Sequence, residues 1–119
     1  MINIKKKKKN NNISVTDILY LVPIKNKDFK YREDGFIDII VPRFRIEFLQ
    51  KLIPETRKYM YANLDELGSA TWELIDGERN VELISQELEK KFQNKISPVL
   101  KRLTLFLRQL YINNFIRFR

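Results

Sequence analysis

A chain of 119 residues, 44% apolar and 32% charged, has the make-up of one globular domain around a single small core. It contains no cysteine and no histidine, which excludes disulfides, thiolate nucleophiles, Cys/His zinc and iron–sulfur sites and any Ser-His-Asp relay. Lysine and arginine total 23 against 15 acidic residues, a net +8, and a binding or adaptor domain is expected here, not an enzyme and not a cofactor carrier.

The charge is concentrated at the start. Five of the positive residues form the run Lys5 to Lys9, and without it the balance is 18 minus 15, or +3. Asn10, Asn11 and Asn12 follow, so residues 1–16 read as a disordered tail with nothing to bury, and residues 17–119 as the folded domain. An electrostatic hook for nucleic acid or anionic lipid is the competing reading of that tail. The apolar stretch Ile18 to Ile24 includes Tyr20 and Pro23 and is followed by Lys25, Lys27 and Asp28 without a small-residue cleavage site. No segment approaches the ~20 apolar residues of a membrane span. A soluble, cytoplasmic protein without membrane contact is the expectation.

In chain order, Asp17 is placed to cap a short helical turn, Ile18 to Leu21, ended by Pro23. Lys25 to Asp34 is polar and leads to a turn at Gly35. Phe36 to Val41 is rich in β-branched residues and reads as a strand with Ile37, Ile39 and Val41 on one face, stopped by Pro42. Arg43 to Ile53 fits either a strand or a helix, and Pro54 closes it. Arg57 to Asn63 alternates and predicts another strand.

The period then becomes helical. Asn63 with Glu66 suggests a capping box, with Asp65 as a rival cap, for a helix to about Asp76 that turns Leu64, Leu67, Thr71, Leu74 and Ile75 inward. Asp76-Gly77 stops it. Asn80 caps a second helix through Phe92, with Val81, Ile84, Leu88 and Phe92 inside. Ser97-Pro98 starts a third that runs to about Asn113, where Asn113-Asn114 supplies a left-handed exit, and Phe115 to Phe118 ends the chain as a short strand or docked tail. Strands first and three helices after them define an α+β, winged-helix-like domain with about three strands.

On a wheel at ~100° per residue, the apolar residues of the third helix, Val99 to Tyr111, fill one arc of roughly 140°. Leu105 and Ile112 are the exceptions, outside the arc among Lys101, Arg102, Arg108 and Gln109. A helix that reads the major groove exposes polar and arginine side chains to base edges. This one suits a peptide or protein surface better, and nucleic acid is an unlikely partner.

The string Leu64-Asp65-Glu66-Leu67-Gly68, Trp72, Asp76-Gly77, then Val81, Ile84, Leu88, Phe92, Leu103, Phe106-Leu107, Leu110 and Phe115-Ile116 resembles the PqqD family. The family takes its name from pyrroloquinoline quinone biosynthesis and includes the recognition elements of peptide-modifying enzymes. The resemblance runs from about Tyr61 to Ile116. It implies a non-catalytic domain of three strands and three helices. Such a domain binds the leader segment of a ribosomally made precursor peptide. The leader lies as an added strand along the third strand, in a groove closed by the third helix, and is presented to a modifying enzyme, often a radical S-adenosylmethionine protein. Carried onto this chain, the peptide-binding candidates are Arg57, Lys58, Tyr59, Met60 and Tyr61 on the strand and Leu100, Leu103, Thr104 and Leu107 on the helix. Trp72 is expected as a core anchor, Gly68 and Gly77 as backbone devices. The segment Arg43 to Thr56 is longer than the tight hairpin of the family. Two other readings stand beside this one: a winged-helix DNA-binding regulator, with Arg117 and Arg119 near a wing, and a homodimer through Leu105 and Ile112 or by strand exchange.

Overall fold

The structure, a computed structural model, describes residues 15–42 and 59–119. The lysine run, the ambiguous segment from Arg43 to Thr56, and the candidates Arg57 and Lys58 lie outside the described residues. The architecture is α+β, as expected. The fold divides into two units, one of residues up to Asn26 together with Ala70–Arg119 and the other Lys27–Ser69.

In the second unit, strands β2 (Phe29–Tyr31), β3 (Ile37–Pro42) and β4 (Tyr59–Asn63) form an antiparallel sheet in the order β2-β3-β4. The turn between β2 and β3 is specified by its residues. Gly35 takes φ +87°, which other residues rarely adopt. The Asp34 carboxylate accepts from the Phe36 N–H at 2.9 Å, and the Arg32 N–H donates to the Phe36 carbonyl at 2.7 Å. β3 and β4 follow the alternation seen in the sequence. β2 does not: the stretch Lys25 to Asp34 reads only as polar and leading to a turn, yet a strand lies within it. Three residues carry too little periodicity to declare a strand, and pairing to β3 decides the matter. Ile37 and Ile39 have no solvent exposure.

Helix α2 (Glu66–Leu74) comes next. Asp65 is its cap, because its carboxylate accepts from the Gly68 N–H at 2.8 Å. Asn63 is not a cap. It belongs to β4, and its side chain is bonded elsewhere.

The first unit holds α1 (Val15–Leu19), β1 (Pro23–Lys25), α3 (Val81–Phe92), a 3-10 turn (Gln93–Ile96), α4 (Val99–Ile112) and β5 (Ile116–Phe118). α1 starts and ends earlier than the turn expected from Ile18 to Leu21. Pro23 opens a strand instead of merely ending a helix. β1 pairs antiparallel with β5, Pro23 opposite Phe118 and Lys25 opposite Ile116. β5 is the short terminal strand expected within Phe115 to Phe118, but its partner β1 lies near the other end of the described residues, so no local pattern announces the pairing.

Trp72 is fully buried, as are Ile75, Val81, Ile84 and Leu88. Lys25 places its ammonium 5.5 Å from the Trp72 ring centroid. The link from α2 to α3 is tied by Asp76, which accepts from the N–H groups of Glu78 and Arg79 at 2.9 Å each, while Gly77 takes φ +83°. The Asn80 side chain accepts from the Leu83 N–H at 2.9 Å, the cap expected of it. At α4 the cap is Pro98 and no side chain caps it, so Ser97 is not the N-cap. Asn114, at φ 64°, gives the left-handed exit.

Candidate functional site

β4 pairs on one side only, with β3, among the described residues. Its register determines what the other side offers. The Leu64 N–H donates to the Ile37 carbonyl at 2.9 Å, on either side of the Asp38–Asn63 pair. That pattern makes Asp38–Asn63 a pair without direct bonds. Alternation then makes Ile39–Ala62 and Val41–Met60 the bonded pairs, and Ile40–Tyr61 and Pro42–Tyr59 unbonded ones. Pro42, which has no N–H, fits where it falls. The backbone N–H and C=O groups of Tyr59, Tyr61 and Asn63 therefore point away from β3, along the open margin. Ala62 and Met60 turn theirs inward.

Side chains divide in the same rhythm. Met60 and Ala62 share the face of Ile39 and Val41, whereas Tyr59, Tyr61 and Asn63 share the face of Asp38 and Ile40. Tyr59, Met60 and Tyr61 are 37%, 44% and 48% exposed. An edge strand with this much apolar surface is a template for pairing with another chain.

The strand is held at its far end by a polar cluster. Asp38, 6% exposed, accepts from Arg32 Nη1 at 2.7 Å and from Asn63 Nδ2 at 2.6 Å through the same oxygen. Arg32 also donates to the Ile37 carbonyl at 3.1 Å and the Leu64 carbonyl at 2.9 Å, joining the end of β2 to β3 and to the residue that follows β4. Burial pushes the Asp38 carboxyl upward, but the bonds from Asn63 and Arg32 outweigh it and hold the group below the usual aspartate range. The bond to Asp38 raises the Arg32 guanidinium. Sequence reasoning misses Arg32 and Asp38. One signal is present: Asp38 breaks the run Phe36-Ile37-Ile39-Ile40-Val41, and a carboxylate inside a β-branched strand calls for partners.

The helix candidates lie on α4 of the other unit, Leu100 and Thr104 half-buried, Leu103 and Leu107 each 2% exposed. Leu105 and Ile112 are 56% and 64% exposed, outside the packed stripe as the wheel places them. Among the described residues no group of three or more Cys, His, Asp or Glu is placed to hold a metal, and no helix is long and apolar enough to cross a membrane.

An antiparallel sheet with an open margin, followed by three helices, defines a small α+β domain. The family model of coenzyme PQQ synthesis protein D matches residues 49–116, more than half of the chain, and the chain belongs to this PqqD family. The family is one of non-catalytic accessory proteins. No curated protein and no solved structure matches the chain significantly.

Proposed function

We propose that this protein is a peptide-binding adaptor of the cytoplasm. It takes the leader segment of a ribosomally made precursor as a strand added to β4 and presents it to a modifying enzyme, such as a radical S-adenosylmethionine protein. The observation that carries the reading is the outward row of backbone groups at Tyr59, Tyr61 and Asn63. Main-chain bonds to that row supply affinity, and side-chain pockets supply selection. Arg57 and Lys58, outside the described residues, are kept as proposed peptide contacts from the sequence alone. The helix candidates Leu100, Leu103, Thr104 and Leu107, in the unit that holds α4, are kept as proposed peptide contacts in their own right. The family's name points to coenzyme PQQ synthesis. Strand addition requires no particular product and holds for any precursor with an extended leader.

The exposed Leu105 and Ile112 argue against the duplex-reading alternative, since a groove-reading face is polar. The test is a titration of the labelled chain with the synthetic leader of a precursor peptide encoded beside its gene. The amides of Tyr59, Tyr61 and Asn63 are expected to shift and to gain protection from exchange, while those of Met60 and Ala62, already bonded to β3, gain little. Absence of binding, or binding that leaves residues 59–63 unmoved, overturns the reading.

A further inference from the structure

The margin of β4 carries a charge that strand addition alone does not explain, and a role for that charge rests on the peptide-binding reading. Lys30 lies opposite Asp38 in the β2–β3 pair, so its side chain emerges on the face shared by Asp38, Ile40 and Tyr61. The Asp38 carboxylate accepts from Arg32 and Asn63 and feels Lys30 only as a weaker, longer-range attraction, and no carboxylate lies within ion-pair distance of Lys30 among the described residues. The lysine instead reaches across β3 and sets its ammonium 4.4 Å from the centroid of the Tyr61 ring. A cation over an exposed ring is weakly held and keeps most of its capacity to bind an anion.

Register says where that anion must come from. Tyr61 turns its N–H and C=O outward, so an antiparallel incoming strand places one residue directly opposite it. That residue's side chain falls on the Tyr61 face, with Cβ atoms about 4.5–5.5 Å apart. The ammonium already covers one face of the ring. The unmet demand at this position is for negative charge, not for a further aromatic.

We propose that Lys30 and Tyr61 form a specificity subsite for a glutamate or aspartate of the bound peptide, at the position that faces Tyr61. The occupant is an acidic peptide segment and not a second copy of this chain. Antiparallel pairing of two β4 strands about Tyr61 would bring two Lys30 ammonium groups onto one face, where like charges repel.

The experiment uses the full chain and two short synthetic peptides, one alternating apolar residues with glutamate and its twin with glutamine. In any register of correct facing, one glutamate of the first peptide lies beside Tyr61. It is expected to bind about fivefold more tightly than its twin, the scale of a solvent-exposed charge pair. In Lys30→Gln the preference disappears. In Lys30→Glu it inverts, and a peptide alternating apolar residues with lysine becomes the better ligand. Lys30 is exposed, so both variants should keep the fold. Equal affinity of the two peptides for the unaltered chain, or a preference that survives Lys30→Gln, overturns the subsite. Shifts at Tyr59, Tyr61 and Asn63 would in that case leave strand addition standing. Silence of those amides toward both peptides overturns the subsite and counts against strand addition itself.

Discussion

The inward stripes of α2 and α3 and the edge strand β4 place their apolar side chains in opposite ways. Trp72, Val81, Ile84 and Leu88 are withdrawn completely from water, whereas Tyr59, Met60 and Tyr61 leave more than a third of their surface in it. The first set lowers the free energy of the chain by burial. The second set contributes little of that kind and lies next to backbone groups that β3 does not satisfy. Large side chains retained at an exposed edge are a liability for an isolated domain. They become an asset only if another extended chain covers them. On the proposed function, the contrast separates residues that maintain the fold from residues that would meet a partner, and it makes distinct predictions for each.

The largest effect is expected in the buried set. Trp72→Ala removes the biggest core side chain and should cost about 3–5 kcal/mol, read as a large drop in the urea midpoint. A loss of less than about 1 kcal/mol would erase the contrast with β4. Next comes Asp38, which belongs to neither set but fixes the strand that bears the second. Asp38→Asn leaves the Arg32 guanidinium without its short charged partner and should cost about 2–3 kcal/mol near neutral pH. The pH course is set by the sign of the shift. The folded-state pKa of Asp38 is depressed, so its contribution is complete above the unfolded value of about 3.9 and is lost as pH falls through the lower folded one. Stability of the native chain should therefore decline below about pH 4, and Asp38→Asn should show a shallower decline, the two converging in acid. Asp76 is depressed in the same direction by the N–H groups of Arg79 and Glu78, so part of the slope remains in the variant. Urea midpoints across acid pH measure this directly, and parallel curves for the two chains would remove Asp38 from the account.

How much of the fold is legible in the sequence depends on the range of the interaction. α3 is readable because its cap, Asn80, and its inward residues Val81, Ile84 and Leu88 are neighbours in sequence. The turn at Asp76-Gly77 is readable because a glycine with positive φ leaves a local mark. β3 and β4 are readable from alternation. β1 is not, since it exists through pairing with β5 at the other end of the chain. The choice of Asp65 over Asn63 as the cap of α2 is hidden for a related reason. Both can cap, and Asn63 is withdrawn from the competition by Asp38, which lies 25 positions earlier. The same holds for the candidate site. Tyr59, Met60 and Tyr61 are visible as a strand, but Lys30 over the Tyr61 ring depends on a register that no local pattern displays.

Smaller effects sharpen the comparison from the other side. Asn80→Ala removes the bond from the Leu83 N–H and should cost about 1 kcal/mol, the worth of one helix cap. The smallest change is expected on β4. Met60 shares the face of Val41 but remains 44% exposed, and its backbone groups bond to β3 whatever side chain it carries. Met60→Thr exchanges a flexible apolar side chain for a β-branched one suited to a strand, so loss of partial burial and gain in strand preference nearly cancel. Stability should stay within about 0.5 kcal/mol of the native chain. The ladder to β3 should stay as protected from exchange as before, because Ile39–Ala62 and Val41–Met60 bond through the backbone alone. Peptide affinity should fall nonetheless, since the side chain removed is one that an added strand would cover. A thermal scan and a peptide titration on the same sample decide it. A marked loss of stability would assign Met60 to the fold, whereas unchanged stability with weakened binding assigns it to the partner.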